Sequence, residues 1–146
     1  MSRLHRFLNL PTADRALLVR SVFWVGTLRL GLWLLPFRLL RQLVVVAGRC
    51  PAGVESPDSD SPARIGWAVK TAGRCIPRAT CLTQALAAQV MLLQHGCRDV
   101  QLRIGVYRRE GPRLEAHAWV NCGGRAVVGT TEDLARFTLL PPVDLS

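Results

Sequence analysis

Acids, lysine, histidine and aromatic residues are all scarce in this chain. Its 146 residues hold 10 Asp and Glu against 19 Lys and Arg, three His and a single Tyr. Lys70 is the only lysine. The five cysteines, at 50, 75, 81, 97 and 122, are odd in number, and no pair has the two-residue spacing of a zinc ribbon. That excludes the usual metal knuckle and argues against a secreted disulfide framework. Reduced thiols are the expectation, with one of them available for chemistry. Residues 1–10 have basic side chains but no apolar core leading to a small-residue cleavage site, so no secretory signal is read there. Long hydrophobic runs are also missing. Arg20, Arg29, Arg38 and Arg41 cut the most apolar part of the chain, leaving Ser21–Leu28 and Leu30–Phe37, eight residues each, as the longest stretches between charges. A membrane span needs about 20 apolar residues, so neither stretch is expected to cross a bilayer.

What is present is unevenly arranged. Residues 1–50 carry eight Arg against Asp14 alone, a charge of +7, and the remaining 96 residues carry only +2. The basic character therefore belongs to the N-terminal third. It favours an acidic peptide, a nucleic acid or an anionic membrane surface. Nucleic acid is the weakest of these, because the arginines alternate with large aliphatic residues and no nucleic-acid motif accompanies them.

The chain reads as a basic, apolar helical segment over 1–49, a Pro/Ser/Asp-rich linker over 50–62 and a core over 63–146. The first segment is predicted to form helices at about 12–34 and 37–47, with Thr12 as N-cap and Pro36 as the break. Leu17, Leu18, Val22, Trp24, Leu28, Leu32 and Leu35 are expected to pack on the core, while Trp24 and Trp33 are candidate anchors for a partner or membrane. In the core, Ala63–Ala72 reads as a short helix, and Gly73 with Pro77 sets a turn.

A longer helix is predicted from Cys81, with Thr80 as N-cap and Gly96 just past its end. At the first helical position a thiolate faces free backbone N–H groups and the positive end of the helix dipole, which favours it over the thiol. The competing reading of Cys81 is a small buried hydrophobe. Val100–Tyr107 and Leu114–Val120 alternate as consecutive antiparallel strands, and Arg125–Gly129 follows the Gly123-Gly124 turn as a third. His117 shares a strand face with Glu115, Trp119 and Asn121. A cysteine at a helix N-terminus followed by a strand histidine fits the first two members of a thiolate–imidazolium triad for acyl transfer.

Three blocks in this order, Ala79-Thr80-Cys81-Leu82-Thr83-Gln84-Ala85-Leu86, Leu102-Arg103-Ile104-Gly105-Val106 and Ala116-His117-Ala118-Trp119-Val120, resemble the lasso-peptide leader peptidases. These are transglutaminase-like cysteine proteases of bacterial peptide maturation, and the resemblance covers about residues 63–140. It implies an α+β fold with a transglutaminase/papain-like core: a nucleophile helix packed on a small antiparallel sheet and preceded by a helical segment. It implies Cys81 as nucleophile and His117 as general base, with no cofactor or metal in the reaction. The Cys81 N–H, with the Trp67 indole as candidate second donor, would hold the oxyanion. Implied partners are the precursor (leader) peptide, a separate leader-recognition protein and a macrolactam synthetase. The implied location is cytoplasmic, with membrane-surface contact through the basic helices as an option beside contact with the recognition protein.

The third triad member departs from the resemblance. Many relatives place an acid twelve residues after the histidine, where this chain has Gly129. Asp133 ranks first as replacement, then Glu132, with Thr130 or Asn121 as neutral substitutes. A two-residue turn would set Thr130 opposite His117 and a three-residue turn Gly129. The absent side chain also motivates a second reading, a peptide-binding module of the same fold without turnover. Cys75, placed in a turn outside the matching blocks, is the rival nucleophile.

Overall fold

The computed structural model describes residues 2–49, 62–97, 99–108, 111–112, 114–129 and 137–139. Five helices precede four strands: α1 Arg3–Leu8, α2 Thr12–Leu34, α3 Phe37–Gly48, α4 Pro62–Cys75, α5 Cys81–Gln94, β1 Val100–Arg108, β2 Leu114–Cys122, β3 Arg125–Val128 and β4 Thr138–Leu139. The expected linker falls almost wholly outside the described residues. The strands form one antiparallel sheet in the order β3-β2-β1-β4.

Helix α5 is the centre of the molecule. Ala85, Leu86, Ala87, Ala88, Val90, Met91 and Leu92 are all buried, so the helix is enclosed on every side. It packs against α2, α3 and α4 and against β1, β2 and β3. A helix apolar all round is stable in water only in such a position. Both ends are well finished. The Thr80 hydroxyl accepts from the Thr83 N–H at 3.3 Å. At the other end Gly96 takes a φ of +87°, while its N–H reaches Leu93 O and that of Cys97 reaches Leu92 O. This is the Schellman closure, which needs a residue without Cβ at Gly96.

The two N-terminal helices lie where the apolar pattern puts them. Leu35 is extended, as a residue before proline must be, and Pro36 takes the N-cap position of α3. One detail differs from expectation. Thr12 is the first helical residue and Pro11 takes the cap position. The carboxylate of Asp14 pairs with Arg64, which ties α2 to α4. Leu17, Leu18, Val25 and Leu28 of α2, with Leu40 and Val44 of α3, join the same hydrophobic core as α4, α5 and the sheet. Gln94 fastens the arrangement, accepting from Arg20 at 3.1 Å and donating to Ala47 O at 3.1 Å. Trp24 and Leu32 are partly buried against this core, whereas Val22 is exposed.

As one unbroken 23-residue helix, α2 is long and apolar enough to cross a membrane by length and composition. Counting runs between arginines missed this, because a stretch of 18 residues whose only charges are Arg20 and Arg29 is still apolar on average. Leu17, Leu18, Ser21, Val25 and Leu28 are nevertheless buried within the protein. In this fold α2 is a core helix.

Helix α4 runs three residues further than expected, through Gly73. A Cβ on Gly73 would stand 2.6 Å from the Gln84 amide, so this glycine permits close packing of α4 on α5 and makes no turn. Helix α1 and strand β4 were not foreseen.

Candidate active site

Cys81 is the first residue of α5, half-buried and free. Capping by Thr80 fixes the helix start, and residues at this end have N–H groups that the helix itself leaves unpaired. Those groups and the positive end of the helix dipole form the end of a helix at which an anion is best held. The Thr80 and Thr83 hydroxyls lie 3.0 Å apart, and Thr83 is fully buried, so the first turn is held on both sides.

His117 lies mid-way along β2, directly across from Gly105 of β1. Helix α5 packs on β2, so the helix that begins with Cys81 and the strand that carries His117 are in contact. The imidazole is half-buried in an aromatic setting. Its ring is stacked on Trp119, with centroids 6.1 Å apart, and tilted against Phe137 at 5.6 Å. Gly105 makes the room. A Cβ there would come within 2.7 Å of the Phe137 Cβ and 3.0 Å of the Trp119 ring. Phe137 was not anticipated as part of the site. Its only sequence signal is an aromatic residue beside the apolar pair at 139–140, too short a pattern to mark a strand.

The imidazole does have an orienting partner. Its Nε2 stands 2.6 Å from the main-chain oxygen of Gly129. With a carbonyl as acceptor, Nε2 carries the proton, and in the neutral ring Nδ1 is left as the basic nitrogen. The position that lacks a side chain thus supplies its backbone.

The geometry of β3 explains how. Gly123 and Gly124, both at positive φ, form a two-residue turn that pairs Cys122 with Arg125 and Asn121 with Ala126. The register then slips, and Val120 pairs with Val128, leaving Val127 as the extra residue of a bulge. Neither simple hairpin register holds. Gly129 follows at φ +82°, and a Cβ there would meet Ala118 O at 2.5 Å and the Trp119 Cβ at 2.9 Å. Only glycine fits this backbone. The bulge in turn is accommodated by α4, where a Cβ on Gly66 would stand 2.6 Å from Val127 O.

Of the other candidates, Asn121 lies four residues along β2 from His117, about 13 Å at strand rise, too far to hold the ring. Asp133, Glu132 and Thr130 lie outside the described residues. Trp67 is 41% exposed and lines grooves with Asp14 and Arg64 and with α1 and α2. Cys75 is not in a turn; it is the exposed last residue of α4. Cys97 and Cys122 are partners. Burial, followed by hydrogen bonding and charge coupling with Cys122, pushes the Cys97 thiol up to about 11, which keeps it protonated.

The family model of the transglutaminase-like superfamily matches residues 24–141, a range that holds both Cys81 at the start of α5 and His117 on β2. The chain belongs to the transglutaminase-like superfamily. The match begins inside α2 and includes α3, the helices whose apolar faces enter the common core. Among curated proteins and solved structures none matches. In this transglutaminase-like chain the described residues form an α+β arrangement of five helices and a four-stranded antiparallel sheet.

Proposed function

We propose that this transglutaminase-like protein is a cysteine endopeptidase that removes the leader from a ribosomally made lasso-peptide precursor. The observation that carries the enzymatic reading is the Nε2–Gly129 O bond, because it leaves Nδ1 of His117 as the free base on a strand packed against the helix of Cys81. The lasso-peptide assignment rests on the three ordered motif blocks around Cys81, Ile104 and His117.

In this reading Nδ1 of His117 takes the Cys81 proton, and the thiolate attacks the carbonyl carbon at the leader–core junction. Charge collects on the carbonyl oxygen, facing the Cys81 N–H at the positive end of α5. The tetrahedral adduct collapses to a thioester as the imidazolium gives its proton to the departing core amine. Water, deprotonated by His117, then releases the leader carboxylate. Gly129 O holds the ring through both proton transfers. The Gly129 carbonyl is neutral and stabilises the imidazolium less than a carboxylate does, so turnover is expected below that of a carboxylate triad. No step requires a metal or cofactor. A leader-recognition protein would deliver the precursor, a macrolactam synthetase would close the released core, and the reaction would sit in the cytoplasm.

Incubation of the full chain with precursor and recognition protein tests this by mass spectrometry. Cleavage at one junction, lost in Cys81→Ala and in His117→Ala with the fold retained, is the expected result. Cleavage that survives Cys81→Ala refutes it. The binding-module reading predicts precursor capture with no cleavage and no preferential alkylation of Cys81 by iodoacetamide.

A further inference from the structure

Helix α2 has two apolar faces, and the protein covers one of them. Leu17, Leu18, Ser21, Val25 and Leu28 are buried on the core side. On the opposite side Val19, Val22, Phe23, Leu30, Trp33 and Leu34 are all exposed, Phe23 at 61% and Trp33 at 76%. At 100° per residue these six fall within about 60° of one line, a stripe about 22 Å long. No acid lies on it. Its margins are basic. Arg29 lies about 80° to one side. At the other end Val19 and Val22 continue into a groove of about 620 Å³ shared with α1 and α4, whose walls include Arg3, Arg6 and Arg74.

We infer that this stripe seats the protein reversibly on an anionic lipid bilayer, with α2 parallel to the surface. Two features favour lipid over a protein partner. A protein interface carries about one hydrogen bond per 100–200 Å², and over its whole length the stripe's side chains offer a single donor, the Trp33 indole N–H. The arginines stand beside it with apolar stems, as needed to reach lipid phosphates while the aliphatic residues and Trp33 enter the acyl boundary. Insertion of α2 across the bilayer is excluded while this fold persists, because its other face is held by α4 and α5. The inference is independent of the proposed peptidase activity.

Flotation of the full chain with phosphatidylcholine vesicles, with and without phosphatidylglycerol, tests it. Partition into the phosphatidylglycerol vesicles is expected, weakened by salt, with quenching of fluorescence by brominated lipid that Trp33→Phe largely removes. A Phe23→Ser, Leu30→Ser, Trp33→Ser variant, whose sites are exposed and whose thermal unfolding should stay near that of the parent, should lose partition by at least tenfold. Arg3→Gln and Arg6→Gln should each weaken it by about fivefold. No partition, equal partition into both vesicles, or full partition by the triple-serine variant would overturn the inference. Concentration-dependent self-association or complex formation with the recognition protein that blocks vesicle binding and fails in the triple-serine variant would also overturn it, giving the stripe to a protein.

Discussion

The Nε2 of His117 and the main-chain oxygen of Gly129 lie 2.6 Å apart, so the residue lacking a side chain is the one that holds the imidazole. Substituting Gly129 by Asp places a carboxylate twelve residues after His117, yet the new Cβ collides with Ala118 O and the positive φ becomes strained. Both Gly129→Asp and Gly129→Ala should lower precursor cleavage by about a hundredfold or more, since a misplacement of about 1 Å costs that much. Single-turnover kinetics should place the loss in the chemical step. Activity above the parent in Gly129→Asp would show that the carbonyl is a poor substitute kept for another reason.

Gly66 acts on the same site from outside it. Any Cβ there presses on the Val127 carbonyl, the bulge residue two positions before Gly129. Gly66→Ala should therefore reduce cleavage by about tenfold through a shifted His117, on the same positional argument. The His117 ring proton shifts should move in NMR spectra even if the melting temperature changes little. Unchanged shifts with unchanged cleavage would mean that β3 yields freely.

The cap at Thr80 sets the frame of Cys81. Thr80→Ala should cost about 1 kcal/mol of stability, measured by chemical denaturation. It should also slow alkylation of Cys81, because the first turn frays. Thr80→Ser, which keeps the hydroxyl, should restore both properties. Equal alkylation rates in the alanine variant and the parent would count against the helix end as the source of thiolate stabilisation.

Cys97 gives the chain a dependence on alkaline pH. Its folded thiol sits at about 11 against an ordinary value of 9.0. Below pH 9 both folded and unfolded chains hold the proton, and the contribution is fully present. From 9 to 11 the unfolded chain releases the proton first, so stability falls as pH rises through that window. Thermal unfolding followed across it should show a decline that Cys97→Ala flattens. A decline of the same slope in Cys97→Ala would assign it to other groups.

Leu28 tests whether α2 belongs to the core. It is 3% exposed and lies in one cluster with α4, α5 and β2. Leu28→Ala should destabilise the whole chain by about 2–5 kcal/mol. Deleting residues 1–48 should leave the remainder unfolded. A cooperative unfolding transition in that truncated chain would show that residues from 62 onward form a unit of their own.

Much of this could be read from the residues. Helices at about 12–34 and 37–47, the cap at Thr80, the stop at Gly96 and the pairing of two alternating strands all depend on contacts between near neighbours in sequence. Cys81 and His117 stood out for the same reason. The Gly129 carbonyl could not be read, because a backbone atom leaves no letter in the sequence and its position depends on a bulge set by α4. Phe137 reaches the imidazole only through pairing of β4 with β1, a two-residue contact without a pattern of its own. The two apolar faces of α2 were visible as composition, but which one the core takes is decided by tertiary packing.

The enclosure of α5 has a consequence for how such a protein can diversify. Seven of its residues, Ala85 to Leu92 without Gln89, have almost no exposed surface and touch elements on all sides. Any change of size there disturbs packing around Cys81 before it alters the outer surface. If the proposed peptidase activity holds, new peptide preferences are expected to arise on the sheet edges and connecting loops, while the helix that bears Cys81 stays as it is.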